Sequence, residues 1–250
     1  MKILVVGATG FVGTEVIRQA LSIPTITSIV GVARRESKVP EKLLPGADPS
    51  KFKALTIPDF KNYSKEAKAE LLDADACIWT VAVLPRDLKK MSQETIREIC
   101  YDYTVASLDV LTSAPRPAGK KPVKFIYMSG SNSARDPAKK PWIMGDYSVL
   151  RGEVERKTLA YGRQHSDRLQ AFVVKPGFIT ASDRPIGYAQ QMFLGILKFA
   201  IALPTIPNAN VAASCLSLAM EGSSTYQDTL TSAEMDTVGQ EFAKKHNIEP

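Results

Sequence analysis

Seven residues near the start of the 250-residue sequence, Gly7-Ala8-Thr9-Gly10-Phe11-Val12-Gly13, carry its clearest chemical signal. They follow the apolar run Ile3-Leu4-Val5-Val6 and lead into a segment of helical periodicity. A glycine-rich turn between a strand and a helix lets a pyrophosphate approach bare backbone. The helix start then offers unpaired N–H groups and the positive end of its dipole. Gly7, Thr9, Gly10, Phe11, Val12 and Gly13 are therefore expected to hold a dinucleotide, the plainer alternative being a tight turn with no ligand. Arg34 and Arg35 end the second apolar run, where a chain preferring NAD places a carboxylate for the ribose 2′-hydroxyl. Two guanidinium groups there suit a 2′-phosphate instead, so the expected cofactor is NADP(H). By topology, Asp59 is expected to reach the adenine, with Thr80 and Val81 beside the ribose.

The elements that must position these groups alternate along the chain. Runs at residues 3–6, 29–33, 53–57, 76–81, 123–128 and 170–174 read as strands, the first as one buried on both faces. Between them, Val12, Val16, Ala20 and Leu21 share one side of a helix that Pro24 ends, and a polar helix spans residues 64–72. Ile96, Ile99, Tyr103, Ala106 and Val110 lay one stripe along a helix at residues 92–111, and a further helix covers residues 147–161. This pattern predicts an α/β chain with a Rossmann-type, doubly wound parallel sheet. Beyond Thr180 the strand signal fades into helical stretches at 187–201 and 211–220 and a last helix near 234–245. Residues 1–250 thus read as a single domain, with a cofactor-binding core to about residue 180 and a small, mainly helical region on the substrate side from about 181 onward.

Composition sets the bounds. A 44% hydrophobic and 23% charged chain is an ordinary globular one. The net charge is +6, but the lysines are scattered, so no nucleic-acid partner is expected. The longest apolar stretch, residues 192–203, is interrupted by Lys198 and too short to span a bilayer, and residues 1–7 do not form a signal peptide. A cytoplasmic location with no membrane partner is expected. Cys77, Cys100 and Cys215 read as reduced core thiols, and with only His165 and His246 no metal site is expected.

Four motifs come in a suggestive order: the glycine turn, Met128-Ser129-Gly130-Ser131, Tyr147-Ser148-Val149-Leu150-Arg151 and Lys175-Pro176-Gly177. That order resembles the short-chain dehydrogenases/reductases. The run Arg151-Gly152-Glu153-Val154-Glu155 and the Pro176-Gly177 turn are similar to the atypical, NmrA-like branch, and within it to the Tat-interacting-protein type of oxidoreductase-like protein. The resemblance covers nearly the whole chain. It implies that Tyr147 protonates a carbonyl as hydride arrives from the nicotinamide, helped by a cation one helical turn away that lowers its pKa. The family's lysine is replaced here by Arg151, which keeps the charge but not the donor geometry. The family's serine falls at Gly130, leaving Ser129 and Ser131 on either side as candidates to bind the substrate oxygen. Pro176, Gly177 and Phe178 are expected beside the cofactor.

Trp142 and Met144, with Tyr188 and Met192, are expected to line an apolar substrate cavity next to Phe178, the alternative being a homodimer face or core. Arg135, Asp136 and Asp146 are available as substitute polar groups. The function this implies is NADP(H)-dependent reduction of a carbonyl or imine on an apolar small molecule. A non-redox isomerisation, rearrangement or cyclisation on the same fold is the first alternative, and an NADP-sensing regulatory protein the second.

Overall fold

The computed structural model of the protein describes residues 1–181 and 204–248. Six strands arise from the apolar runs: β1 (Lys2–Val6), β2 (Ser28–Ala33), β3 (Phe52–Thr56), β4 (Ala76–Trp79), β5 (Val123–Met128) and β6 (Leu169–Lys175). With β9 (Thr229–Thr231) they form one parallel sheet in the order β3-β2-β1-β4-β5-β6-β9. The order reverses between β1 and β4, and in open α/β sheets that crevice is where ligands bind. The central strands are buried on both sides, which explains their uninterrupted apolar sequences.

Helices α1 (Phe11–Ala20), α6 (Asn208–Glu221) and α7 (Ser232–Lys245) cover one face, where Ile3, Val5, Val16, Leu216 and Phe242 pack together. Helices α2 (Lys65–Leu72), α4 (Tyr103–Thr112) and α5 (Gly145–Gln164) cover the other, over Leu4, Val6, Trp79, Phe125 and Tyr127. Ser64 caps α2, accepting from Ala67 N, and Thr231 with Glu234 forms a reciprocal capping box on α7.

Three expectations are corrected. The strand anticipated over residues 76–81 ends at Trp79, where the backbone N–H and the hydroxyl of Thr80 both close on Val6 O. The helix anticipated over residues 92–111 is not continuous. It consists of α3 (Gln93–Arg97), a π turn at Glu98–Asp102 and α4. The extra residue of the π turn rephases the helix, so Thr104, Leu108 and Leu111 are fully buried while Ala106 is only half-buried. Beyond Phe178, strands do occur, each only three residues long. β7 (Phe178–Thr180) pairs with β8 (Thr205–Pro207), and β9 extends the main sheet beside β6. The helical stretch expected at 187–201 lies outside the described residues.

Candidate active site

The glycine turn is built from backbone contacts that leave no room for side chains. Gly7 has φ +93°, and both its N–H and that of Ala8 donate to Val32 O at 2.9 and 3.2 Å. A Cβ on Gly7 would lie 2.2 Å from Thr80 Oγ1, and one on Gly13 would lie 2.3 Å from Gly7 O. Gly10 differs. It enters α1 in the extended region (φ −86°, ψ 164°) with no side-chain cap, and among the described residues a Cβ there would meet only Gly7 O, at 3.1 Å. The first turn of α1, from Phe11 through Val12 to Gly13, therefore points uncapped N–H groups past bare backbone, as a pyrophosphate requires. Thr9 and Phe11 are exposed at the mouth of this cradle, and Arg34 and Arg35 stand exposed at the end of β2 with no ion pair among the described residues. These residues fit a dinucleotide.

Two of the expected flanking groups are engaged in the scaffold. The Asp59 carboxylate folds back on Lys61 N (2.9 Å) and Asn62 Nδ2 (2.6 Å), which hold it below the usual carboxylate range. Thr80 gives its hydroxyl to Val6 O at 2.8 Å and so backs the Gly7 turn, with Val81 half-buried beside it.

Helix α5 carries the chemical groups at spacings of four. Tyr147, Arg151 and Glu155 follow one another on the same side, each a turn further in. The Tyr147 hydroxyl donates to Val83 O at 2.6 Å, just beyond β4. Burial pushes its phenol up to about 12, against the opposing pull of the Arg151 charge. The arginine acts in the expected direction and desolvation outweighs it. Arg151 is only 5% exposed. It donates through Nη2 to Met128 O and lies 4.9 Å from the Tyr127 ring centre, its Nη1 has no geometric hydrogen-bond partner among the described residues, and the Cys100 side chain lies against the guanidinium.

Glu155 is completely buried. Arg135 Nε reaches it at 2.6 Å and Lys175 Nζ at 3.2 Å, and the Ser129 hydroxyl donates to its Oε1 at 2.5 Å. Ser129 has a single hydrogen, which the carboxylate takes, and its oxygen also meets Ser133 Oγ at 2.6 Å, so the buried hydroxyl is engaged in the scaffold. Ser131 continues the β5 ladder instead, its N–H on Pro176 O at 2.9 Å. Beside it opens a cleft of ≈ 460 Å³ lined by Ser131, Ser133, Arg135, Lys139, Lys175 and Thr229.

Pro176 is buried. Gly177 packs so closely that a Cβ would fall 1.9 Å from Pro204 O, and its N–H bonds to Ser232 Oγ at 3.0 Å. Phe178 is partly exposed in β7. Trp142 corrects an expectation: at 97% exposure it stands in solvent and forms no cavity wall among the described residues. Met144 instead turns the chain into α5, with φ 54°. Tyr188 and Met192 lie outside the described residues. Asp136 caps the turn at Pro137–Lys139, and Asp146 pairs with Lys140 at 2.7 Å on the surface.

Glu155 and Gly152 entered the sequence reading only within the run that carries the family resemblance, and Val83 did not enter it. Glu155 carried a readable signal, a charge four residues beyond Arg151 on the buried stripe of a helix. Gly152 did not, although a Cβ there would lie 1.9 Å from Ala134 O, so α5 and the loop after β5 touch backbone to backbone.

Comparison with known proteins bears on the fold and the family. "Protein FMP52, mitochondrial" of Candida albicans is 25% identical over 177 residues, covering 71% of this chain and 66% of that protein. The PhqB reductase domain of Penicillium fellutanum superposes with a TM-score of 0.64 at 17% identity, covering 92% of this chain and 66% of that one. UDP-glucose 4-epimerase of Thermus thermophilus, solved with NAD, superposes at 0.60 and 11% identity, covering 100% and 85%. At such identities the two structures show the shared fold alone. Residues 3–170, which hold the glycine turn, the β5 end and the whole tyrosine helix, match the sequence pattern of a family of nicotinamide-dependent enzymes. The chain belongs to the NAD dependent epimerase/dehydratase family.

Proposed function

We propose that the protein is an NADP(H)-dependent reductase of a carbonyl or imine on a small, largely apolar molecule, placed within its family in the NmrA-like branch by Arg151-Gly152-Glu153-Val154-Glu155. The observation that carries this reading is Tyr147. Its hydroxyl keeps its proton, donated to Val83 O at 2.6 Å, and Arg151 lies one helical turn away to favour the phenolate once that proton is given up. A bound nicotinamide supplies the hydride to the carbonyl carbon. Tyr147 gives its Oη proton to the carbonyl oxygen, the Arg151 charge favours the phenolate left behind, and solvent restores the proton. The free, buried cysteines suit a reducing compartment, and this reading places the chain in the cytosol.

NADP(H) rather than NAD(H) rests on Arg34 and Arg35. NADPH is expected to bind more tightly than NADH, and Arg34→Ala to cost about 1.5–3 kcal/mol of NADPH affinity, roughly 10- to 100-fold, with NADH little changed. Equal affinities of the wild type for the two nucleotides, measured by fluorescence titration, would remove the preference.

The reaction class is tested by following NADPH absorbance and product together across a panel of aldehydes, ketones and imines. One NADPH consumed per product is expected. Product formed with no net NADPH loss would move the non-redox reading ahead, which the family's epimerase members favour. Tight nucleotide binding without any product would favour the sensor.

A further inference from the structure

The interruption in the helix facing Tyr147 has a specific geometric result. At Glu98–Asp102 the chain makes a π turn, and Tyr103 N donates five residues back to Glu98 O. The Thr104 hydroxyl takes up Cys100 O at 3.0 Å, and the Cys100 side chain is completely buried. Its sulfur accepts the backbone N–H of Val83 at 3.5 Å. The other side of the same residue, Val83 O, holds the Tyr147 hydroxyl. Val83 is itself buried, in the segment that leaves β4 towards the exposed turn at Pro85–Lys90. One short stretch of chain is therefore gripped at its N–H by a thiol from one helix and at its C=O by a phenol from another.

We propose that Cys100 is a positioning residue for Tyr147: the π turn aims its thiol at Val83 N–H, and this fixes the carbonyl on which the tyrosine hydroxyl rests. The proposal rests on the reading of Tyr147 as proton donor. It gives the π turn a task that an uninterrupted helix would not perform, because single π turns place side chains that regular helical spacing cannot. It also sets Cys100 apart from Cys77 and Cys215, for which no comparable backbone contact is found among the described residues. Sulfur is a weak acceptor, so the Val83 contact contributes as one hydrogen bond, and the same side chain also lies against Tyr147 and Arg151. A hydroxyl can replace it, and an alkyl group cannot.

The test compares Cys100→Ser, Cys100→Ala and Cys100→Val with the wild type and Tyr147→Phe, using NADPH and an aromatic aldehyde. Valine restores the side-chain volume if alanine destabilises the fold. Cys100→Ala and Cys100→Val are expected to lower kcat about tenfold, the worth of one such bond, with KM and NADPH affinity close to wild type. Cys100→Ser is expected to recover most of the loss. The Val83 amide resonance should shift in Cys100→Ala and Cys100→Val and stay near its place in Cys100→Ser. Folded Cys100→Ala or Cys100→Val protein with wild-type kcat, or a serine variant no better than alanine, would overturn the proposal while Tyr147→Phe remains impaired. Wild-type turnover by Tyr147→Phe would overturn the proton-donor reading itself, and this proposal with it.

Discussion

Tyr147→Phe should lower reductive turnover about 100-fold or more, the usual scale for loss of a positioned general acid. The ring stays in its pocket and only the hydroxyl on Val83 O is lost, so NADPH affinity should remain near wild type. The pH profile adds a second check. An unperturbed tyrosine ionises near 10. With the Tyr147 pKa at about 12, the acid form persists as pH rises, and this group should impose no loss of reductive rate between pH 7 and 10. The rate should fall only as pH approaches 12. A limb centred well below 10 that vanishes in Tyr147→Phe would mean that the Arg151 charge, not burial, controls the phenol. Normal turnover by the phenylalanine variant would pass the acid's role to another group.

Gly10→Val should abolish nucleotide binding while leaving the fold intact. Gly10 sits at φ −86° and ψ 164°, a conformation a β-branched residue adopts readily, and among the described residues the only neighbour of an added Cβ is Gly7 O at 3.1 Å. Local adjustment of a few tenths of an ångström accommodates it, so circular dichroism should be unchanged. The branched side chain would then stand where phosphates approach the uncapped start of α1. Losing two charge-assisted backbone bonds at about 1.5–3 kcal/mol each corresponds to at least about a 100-fold loss of NADPH affinity. Gly13→Val is the contrasting variant. Its Cβ would press on Gly7 O at 2.3 Å and Gly7 C at 2.9 Å, so the turn itself must deform and stability should fall together with binding. Unchanged NADPH affinity in folded Gly10→Val protein would reduce the loop to a turn.

The parts of the molecule legible in the sequence are those governed by local pattern. Strands buried on both faces show as apolar runs, and the glycine turn declares itself because the spacing of Gly7, Gly10 and Gly13 reflects backbone contact. Sites decided by distant partners were not legible. The stripe Ile96, Ile99, Tyr103, Ala106 and Val110 fits a continuous helix, since one extra residue in a turn barely disturbs such a count. Only the burial of Thr104 and Leu108 reveals the change of phase. β7, β8 and β9 are three residues each, too short for an alternating signal, and are held by neighbours far away in the chain. Ser129 reads as a substrate ligand until Glu155, 26 residues on, is seen to take its hydrogen. Trp142 reads as a cavity wall by composition, yet it stands 97% exposed.

The seventh strand also bears on how the chain is made. β6 receives its outer neighbour only from Thr229–Thr231, which pair with Val173–Lys175. During synthesis the N-terminal part of a domain emerges first. The six-stranded portion can therefore assemble while the flank of β6 still shows unpaired N–H and C=O groups, a template for intermolecular pairing. Closure waits for a three-residue strand whose own hydrophobic drive is small, and for α7 behind it to dock. A nascent or truncated chain lacking residues 229–245 would thus carry an adhesive edge and be a natural client for chaperones, whatever the health of its nucleotide site.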